Sequence, residues 1–265
     1  MRNASIGLLA DFFLGGASDV RGDVSLAEVA DPQVVMLLEG VSANLQALRD
    51  ASYELQIQEQ RYVYDEKGVR RSVSLHPKKQ QFTSSGESFY FWHNGGGFSG
   101  VTYEPTEGVY EAAYHEGTFT ALHHTFKSMS VHAESHSGEL NMVDPRRYLG
   151  DQMLTSIAAS AGKTPGLIRI AGQEEVHGSM CVIVEHREAA DASRRYWIDQ
   201  AHGFLPRRTE LLVARGPEGS PVDTLSSDTE VEEVMEVAPG VWCPVRVREE
   251  AFRGNKDGFH FVRNT

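Results

Sequence analysis

Arg194-Arg195-Tyr196-Trp197-Ile198-Asp199, then Gln200-Ala201-His202-Gly203, then Phe204-Leu205-Pro206-Arg207-Arg208-Thr209-Glu210-Leu211-Leu212 is the stretch that decides the reading of this chain. Two runs rich in aromatic and β-branched side chains flank a short link that begins after Asp and ends on Gly. Chains of that composition form antiparallel hairpins, because such links reverse direction where β-prone runs stop. The same grammar recurs downstream: Glu230 to Val237, the link Ala238-Pro239-Gly240, then Val241 to Arg248. Residues 178 to 252 therefore read as tandem strand–turn–strand units.

Working outward, Asp31-Pro32 opens a helix, with Asp as N-cap and Pro at the first helical position. Val34, Leu38, Val41, Leu45 and Leu48 recur at steps of four and three and make one apolar stripe. The period then changes to two: Tyr53, Leu55 and Ile57 alternate with Glu54, Gln56 and Gln58, as in a half-buried strand. Further strands and turns follow, with Phe89-Tyr90-Phe91-Trp92 and Phe119 to Leu122 as strand interiors. Turn signals lie at Ser84 to Glu87, Asn94 to Gly97 and His115 to Gly117. Asp144-Pro145 caps a second helix, with Tyr148, Leu149, Met153, Leu154 and Ile157 as its apolar face and Ala161-Gly162 as its end. Strands resume at Leu167, and Gly216 to Pro221 form an exposed loop. The order is helix, about five strands, helix, about six strands. Strands without crossover helices give an antiparallel sheet, so the expected class is α+β, mainly β: a large curved sheet whose concave face the two helices cover.

The totals exclude several functions. A formal charge of −12 argues against nucleic acid, which needs a basic face. The basic doublets, Arg194-Arg195 and Arg207-Arg208 among them, are separated by acidic residues and read as solvated strand edges. No run reaches the roughly 20 apolar residues of a membrane span. Residues 1–30 form an N-terminal arm, in which Ile6 to Ala10 and Phe12 to Ser18, interrupted by Asp11, read either as a degenerate export signal or as a short amphipathic arm. Residues 31–265 contain no linker and read as a single domain.

Chemistry-bearing candidates are weak. Six histidines lie between His93 and His136, but His132 and His136 in a strand stand about 13 Å apart, and His123-His124 point to opposite faces. A zinc site, or any other metal or cofactor site, is not expected. No nucleophile elbow is present. Gly95-Gly96-Gly97 lacks the Lys-Ser/Thr of a phosphate loop. Cys181 and Cys243 fall in apolar strands, as two buried free thiols or one disulfide. Glu232-Glu233, as strand neighbours, are expected to face opposite ways, which leaves them no shared acid–base role.

Gly178-Ser179-Met180-Cys181-Val182-Ile183-Val184 followed by Tyr196 to Arg208, and then Val237 to Val245, resemble the later half of outer-membrane lipoprotein-sorting (LolA-like) proteins, in particular their planctomycete-type branch. By order of elements the resemblance spans about residues 31 to 252. It implies an unclosed β-barrel of about eleven antiparallel strands lidded by helices. It also implies a periplasmic or envelope location, no catalysis, and an apolar cavity that takes lipid or lipoprotein acyl chains, with an envelope protein as a further partner. The cavity lining is then expected from Tyr53, Leu55, Ile57, Phe89, Phe91 and Ile183 (with Cys181) on the sheet, and from Leu38, Val41, Leu45, Leu149, Met153 and Ile157 on the helices. The alternative is a protein-interaction or sensor module of the same fold, its interior filled by the helices.

Overall fold

A computed structural model describes residues 7–9, 31–48, 50–64, 70–74, 78–85, 88–94, 109–115, 118–124, 127–132, 145–161, 167–215, 222–253 and 259–264. Most of the expected N-terminal arm, Gly95 to Gly97, His136, Asp144, Gly162 and the loop Gly216 to Pro221 lie outside the described residues.

Helix α1 (Pro32–Ala47) starts as its sequence dictates. Asp31 Oδ1 accepts the Gln33 amide at 2.9 Å, and its carbonyl accepts the first helical amide, from Val35, at 3.1 Å. Its whole expected stripe is buried, and Leu37 and Asn44 widen it. The strands are β1 (Gly7–Leu9), β2 (Asp50–Tyr64), β3 (Arg70–Ser74), β4 (Lys78–Ser85), β5 (Ser88–Asn94), β6 (Val109–His115), β7 (Thr118–His123) and β8 (Ser128–His132). A 3₁₀ turn (Pro145–Leu149) and helix α2 (Asp151–Ala161) follow. After them come β9 (Ile168–Val176), β10 (Ser179–Ala189), β11 (Ala192–Asp199), β12 (Leu205–Arg215), β13 (Val222–Ala238), β14 (Val241–Arg253) and β15 (Phe259–Asn264). The protein is mainly β, with antiparallel pairing throughout these ladders. Among the described residues there are fifteen strands, against about eleven expected. Strands as short as β3 and β8, five residues each, carry too little alternation to be counted from sequence.

The chain forms two compact units. The first comprises Met1–Asp23, Gln46–Gln58 and Leu75–Arg147, and the second Val24–Leu45, Glu59–Ser74 and Tyr148–Thr265. In the first, the order is β2-β4-β5-β6-β7-β8, with β1 on β2. Register places Tyr53, Phe82, Phe91, Ala112 and Ala121 side by side across five strands, and all five are buried. Phe82 and Phe91 meet edge to face at 5.9 Å. On the other face Tyr90 donates to Glu111 Oε2 at 3.0 Å, and Met129 and Val131 of β8 are exposed.

In the second unit the meander β9 to β15 carries both hairpins that the sequence announces. Tyr196 to Asp199 pair with Leu205 to Thr209, and Glu230 to Ala238 with Val241 to Arg248. The first link is a 3₁₀ turn, Gln200–His202, capped by Asp199, whose Oδ1 accepts the Ala201 amide, and closed by left-handed Gly203. The second helix differs from expectation. Instead of running on from Pro145, the chain makes a 3₁₀ turn, breaks at Gly150 (φ +99°), and only then becomes α2. The break has a packing cause: a Cβ at Gly150 would lie 2.6 Å from Val41 Cγ1 and 3.2 Å from Pro206 Cγ, so the backbone there presses against α1 and β12.

Candidate functional site

The second unit contains one apolar layer in which both helices meet one sheet face. Val34, Leu37, Leu38 and Val41 of α1 and Met153 and Ile157 of α2 pack on Val182, Val184, Tyr196 and Ile198, with Leu154, Ile168, Ile170 and Phe204 at the margin. The period of two selects the strand side chains: Val184 pairs with Ile170 and Tyr196, and Val182 with Ile198, so alternate residues of three strands face the helices. Phe204 reaches the layer with φ +58°, and its ring occupies the space where a Cβ on Gly40 would be, 2.3 Å from Cγ. At the far end of α1, the Asn44 side-chain amide donates to the Trp242 carbonyl and its oxygen accepts the Trp242 amide, both at 3.0 Å. This pair of hydrogen bonds ties α1 to the start of β14.

The layer ends in polar groups. Continuing the inward series Val182, Val184 leads to His186, and Ile198, Tyr196 leads to Arg194. His186 pairs with Arg194 in the ladder. Arg194 grips Glu188 with Nε at 2.8 Å and a terminal nitrogen at 3.2 Å, and Ser156 of α2 donates to the same carboxylate at 2.9 Å. Burial pushes the Glu188 carboxyl up, but the Arg194 and Ser156 bonds outweigh it and hold it below the usual carboxylate range. His186 is fully buried, and neither ring nitrogen has a hydrogen-bond partner among the described residues; the same holds for the Tyr196 hydroxyl. Burial lowers the His186 pKa against the pull of Glu188, with Arg194 lowering it further, so the ring is neutral in the folded protein at pH 7. Burial also raises the Tyr196 phenol.

Of the expected lining, Leu38, Val41, Met153 and Ile157 come together in this layer, and Leu45 and Leu149 are buried in the same unit. Tyr53, Ile57 and Phe91 are buried in the first unit, Leu55 is half-buried there, and Phe89 pairs with Ser84 and Tyr114 in its ladder. Ile183 is displaced by one residue from expectation. The side of β10 that meets the helices carries Val182 and Val184, whereas Ile183 and Cys181 pack with Val176 and Trp197. His186, Tyr196, Arg194 and Glu188 were missed; extending the inward parity of two paired strands by one step would have found the first three.

The opposite face of this sheet is a lattice of charges around Trp197, whose indole donates to Glu174 at 2.8 Å beneath the Arg208 guanidinium, 5.2 Å from the ring centre. The doublets Arg194-Arg195 and Arg207-Arg208 are not solvated edges. The pleat sends Arg194 inward to Glu188 and Arg195 outward to Glu185 at 2.9 Å. Arg207 is buried beside Asp199 (3.5 Å) and donates to the Val231 and Glu232 carbonyls. Glu232 and Glu233 do not face opposite ways: register shifts on both sides of Glu233 let both carboxylates pair with Arg246, Glu232 at 2.7 Å.

Ser179, His202 and Asp199 have the composition of a nucleophilic triad but not its wiring. His202 Nδ1 is 2.6 Å from Asp199 Oδ2 and 3.3 Å from Ser179 Oγ, so one nitrogen serves both partners, whereas a relay uses one nitrogen for each. Cys181 and Cys243 are free thiols. Burial and the nearby Asp199 push the Cys181 thiol up to about 12, which keeps it protonated at pH 7. Among the described residues no histidine, cysteine and carboxylate group has the geometry to hold a metal, and no helix is long and apolar enough to cross a membrane.

Neither a family model nor a curated protein matches this chain. Solved structures do. A DUF1329 family protein from Desulfovibrio piger is 14% identical with a TM-score of 0.43, covering 88% of this chain and 91% of its own. A domain assigned to outer membrane lipoprotein sorting from Vibrio parahaemolyticus is 12% identical with a TM-score of 0.42, covering 86% and 89%. The Mycobacterium tuberculosis lipoprotein LppX is 9% identical with a TM-score of 0.31, covering 89% and 94%.

Proposed function

We propose that this chain is a non-catalytic envelope protein that holds acyl chains of lipids or lipoproteins between α1, α2 and the inner face of β9 to β12. One observation carries the reading. The layer there is apolar along its length yet encloses polar atoms that a self-contained core would have paired. Such a layer suits a guest with an apolar body and a polar end. The moving part is α2. It is only eleven residues long, it is entered through Gly150, and it touches the sheet through Met153, Ile157 and the Ser156–Glu188 bond. The groups with reactive potential on this sheet are occupied otherwise, Asp199 by His202 and Arg207 and Cys181 by its proton. The envelope assignment follows the sequence resemblance.

A second reading has its own support. Leu37, Leu38 and Ile157 are wholly covered, as in an interaction module whose interior the helices fill. An environment-sensitive fatty-acyl probe separates the two. The acyl reading expects saturable binding at micromolar concentration, displaced by lipid, and at least tenfold weaker in Met153→Gln, whose circular dichroism stays native. Absence of binding to the folded wild-type protein favours the filled module.

A further inference from the structure

His186 and Tyr196 occupy diagonal positions on β10 and β11: Val184 pairs with Tyr196 and His186 with Arg194. Diagonal cross-strand neighbours stand about 7–8 Å apart, a gap that one small polar group bridges. Between them they offer a phenolic O–H, one imidazole N–H and one imidazole lone pair, and none of these has a partner among the described residues although both side chains are buried. A buried donor without an acceptor is costly, so a group that supplies one is bound favourably. The sign of the local charge narrows its nature. Arg194 is a cation that acts on both His186 and Tyr196, and Glu188 already neutralises it through two hydrogen bonds. A guest anion would therefore enter beside a fixed carboxylate with no net positive charge to receive it, at a heavy desolvation cost. A neutral acceptor meets no such penalty.

We propose that His186 and Tyr196 form a seat for the carbonyl of an acyl ester or amide, whose chain then lies along Val184, Met153 and Ile157. The assignment rests on the acyl-chain reading and deepens it: the ligand class is esterified or amidated acyl chains rather than free fatty acids. Tyr196 donates its hydroxyl hydrogen to the carbonyl oxygen, and His186 donates from whichever ring nitrogen carries the proton. No bond is made or broken.

The experiment uses the full chain and one pyrene-labelled sixteen-carbon chain in three forms: methyl ester, free acid and plain hydrocarbon. The ester is expected to bind wild-type protein about tenfold more tightly than the hydrocarbon, the value of one well-made buried hydrogen bond. Tyr196→Phe should erase that preference, leave hydrocarbon affinity unchanged, and not lower the melting temperature, because it removes an oxygen that has no hydrogen-bond partner among the described residues. His186→Leu, as the second variant, should weaken the ester in the same direction. Equal binding of ester and hydrocarbon, or a preference that survives both variants, overturns the seat and leaves only a bound water to satisfy these groups. Tighter binding of the free acid than of the ester assigns the pocket to carboxylates and overturns the ester class. If none of the three forms binds, the acyl reading itself fails, an outcome distinct from the loss of preference alone.

Discussion

His186 is where single-residue physics is most exposed to measurement. In the unfolded chain its imidazole takes a proton near the ordinary value of 6.5, whereas in the fold burial depresses that value. The sign follows: between the two values the unfolded state binds more protons, so this contribution to stability is complete above pH 6.5 and declines as pH falls through 6.5 toward the depressed folded value. Denaturant midpoints measured from pH 7.5 to 5 should fall in the wild type, and His186→Leu should flatten that slope. Glu188 acts lower on the scale. Burial raises it, but the Arg194 and Ser156 bonds take its folded value below 4.5, so its stabilisation, full above that value, disappears as pH drops through the folded one. Arg207 and Asp199 illustrate a different cost. Both are buried, and Asp199→Ala leaves the Arg207 guanidinium with two backbone carbonyls but without this counter-charge, for an expected loss of about 3–5 kcal/mol in urea unfolding. Little of this was legible in the sequence. Arg207-Arg208 and Glu232-Glu233 look like alternating strand residues, but one-residue register shifts at Trp197/Ile198 and around Glu233 redirect a single side chain each, and nothing in the composition marks where a ladder slips.

At the scale of elements, the hairpins and helices were legible because their signals are local. Asp31-Pro32 and the four-and-three stripe specify α1 without reference to the rest of the chain, as Asp199, Gly203 and Pro239-Gly240 specify their turns. What was not legible depends on close approach between elements far apart in sequence. Gly40 reads as a mildly unfavourable helix residue, yet it is the floor beneath Phe204. Gly40→Ala would put a methyl group 2.3 Å from Phe204 Cγ, the root of the ring rather than its far end, so the ring or the helix has to shift. A loss of roughly 1–3 kcal/mol is expected from overpacking, read as a lowered midpoint with an unchanged denaturant slope. Asn44 has the opposite character: a polar residue inside an apolar stripe, explained only by its two bonds to the Trp242 backbone. Asn44→Leu should cost about 1–3 kcal/mol despite raising the hydrophobicity of the stripe, because the Trp242 amide and carbonyl lose their partner. No change in stability would mean water replaces the asparagine at no cost.

At the scale of the molecule, the sequence pointed to one curved sheet with its apolar faces pooled into a single lining. Those residues are divided between two units: Tyr53, Ile57 and Phe91 in the first, and Leu38, Val41, Met153 and Ile157 in the second. Periodicity identifies which residues are inward but not which layer they join, since that depends on strand order, and short strands blur the count. The proposed acyl site therefore lies within the second unit, where both helices meet the sheet and polar atoms are enclosed. Photo-crosslinking tests it most directly. An acyl ester with a diazirine at its methyl end is irradiated with the full chain, and the adducts are mapped by peptide mass spectrometry. Adducts are expected on α1, α2 and β10 around Leu38, Met153, Ile157 and Val184, suppressed by excess unlabelled ester. Adducts confined to residues 50–58 and 78–132, or scattered labelling that excess ester does not suppress, would contradict it.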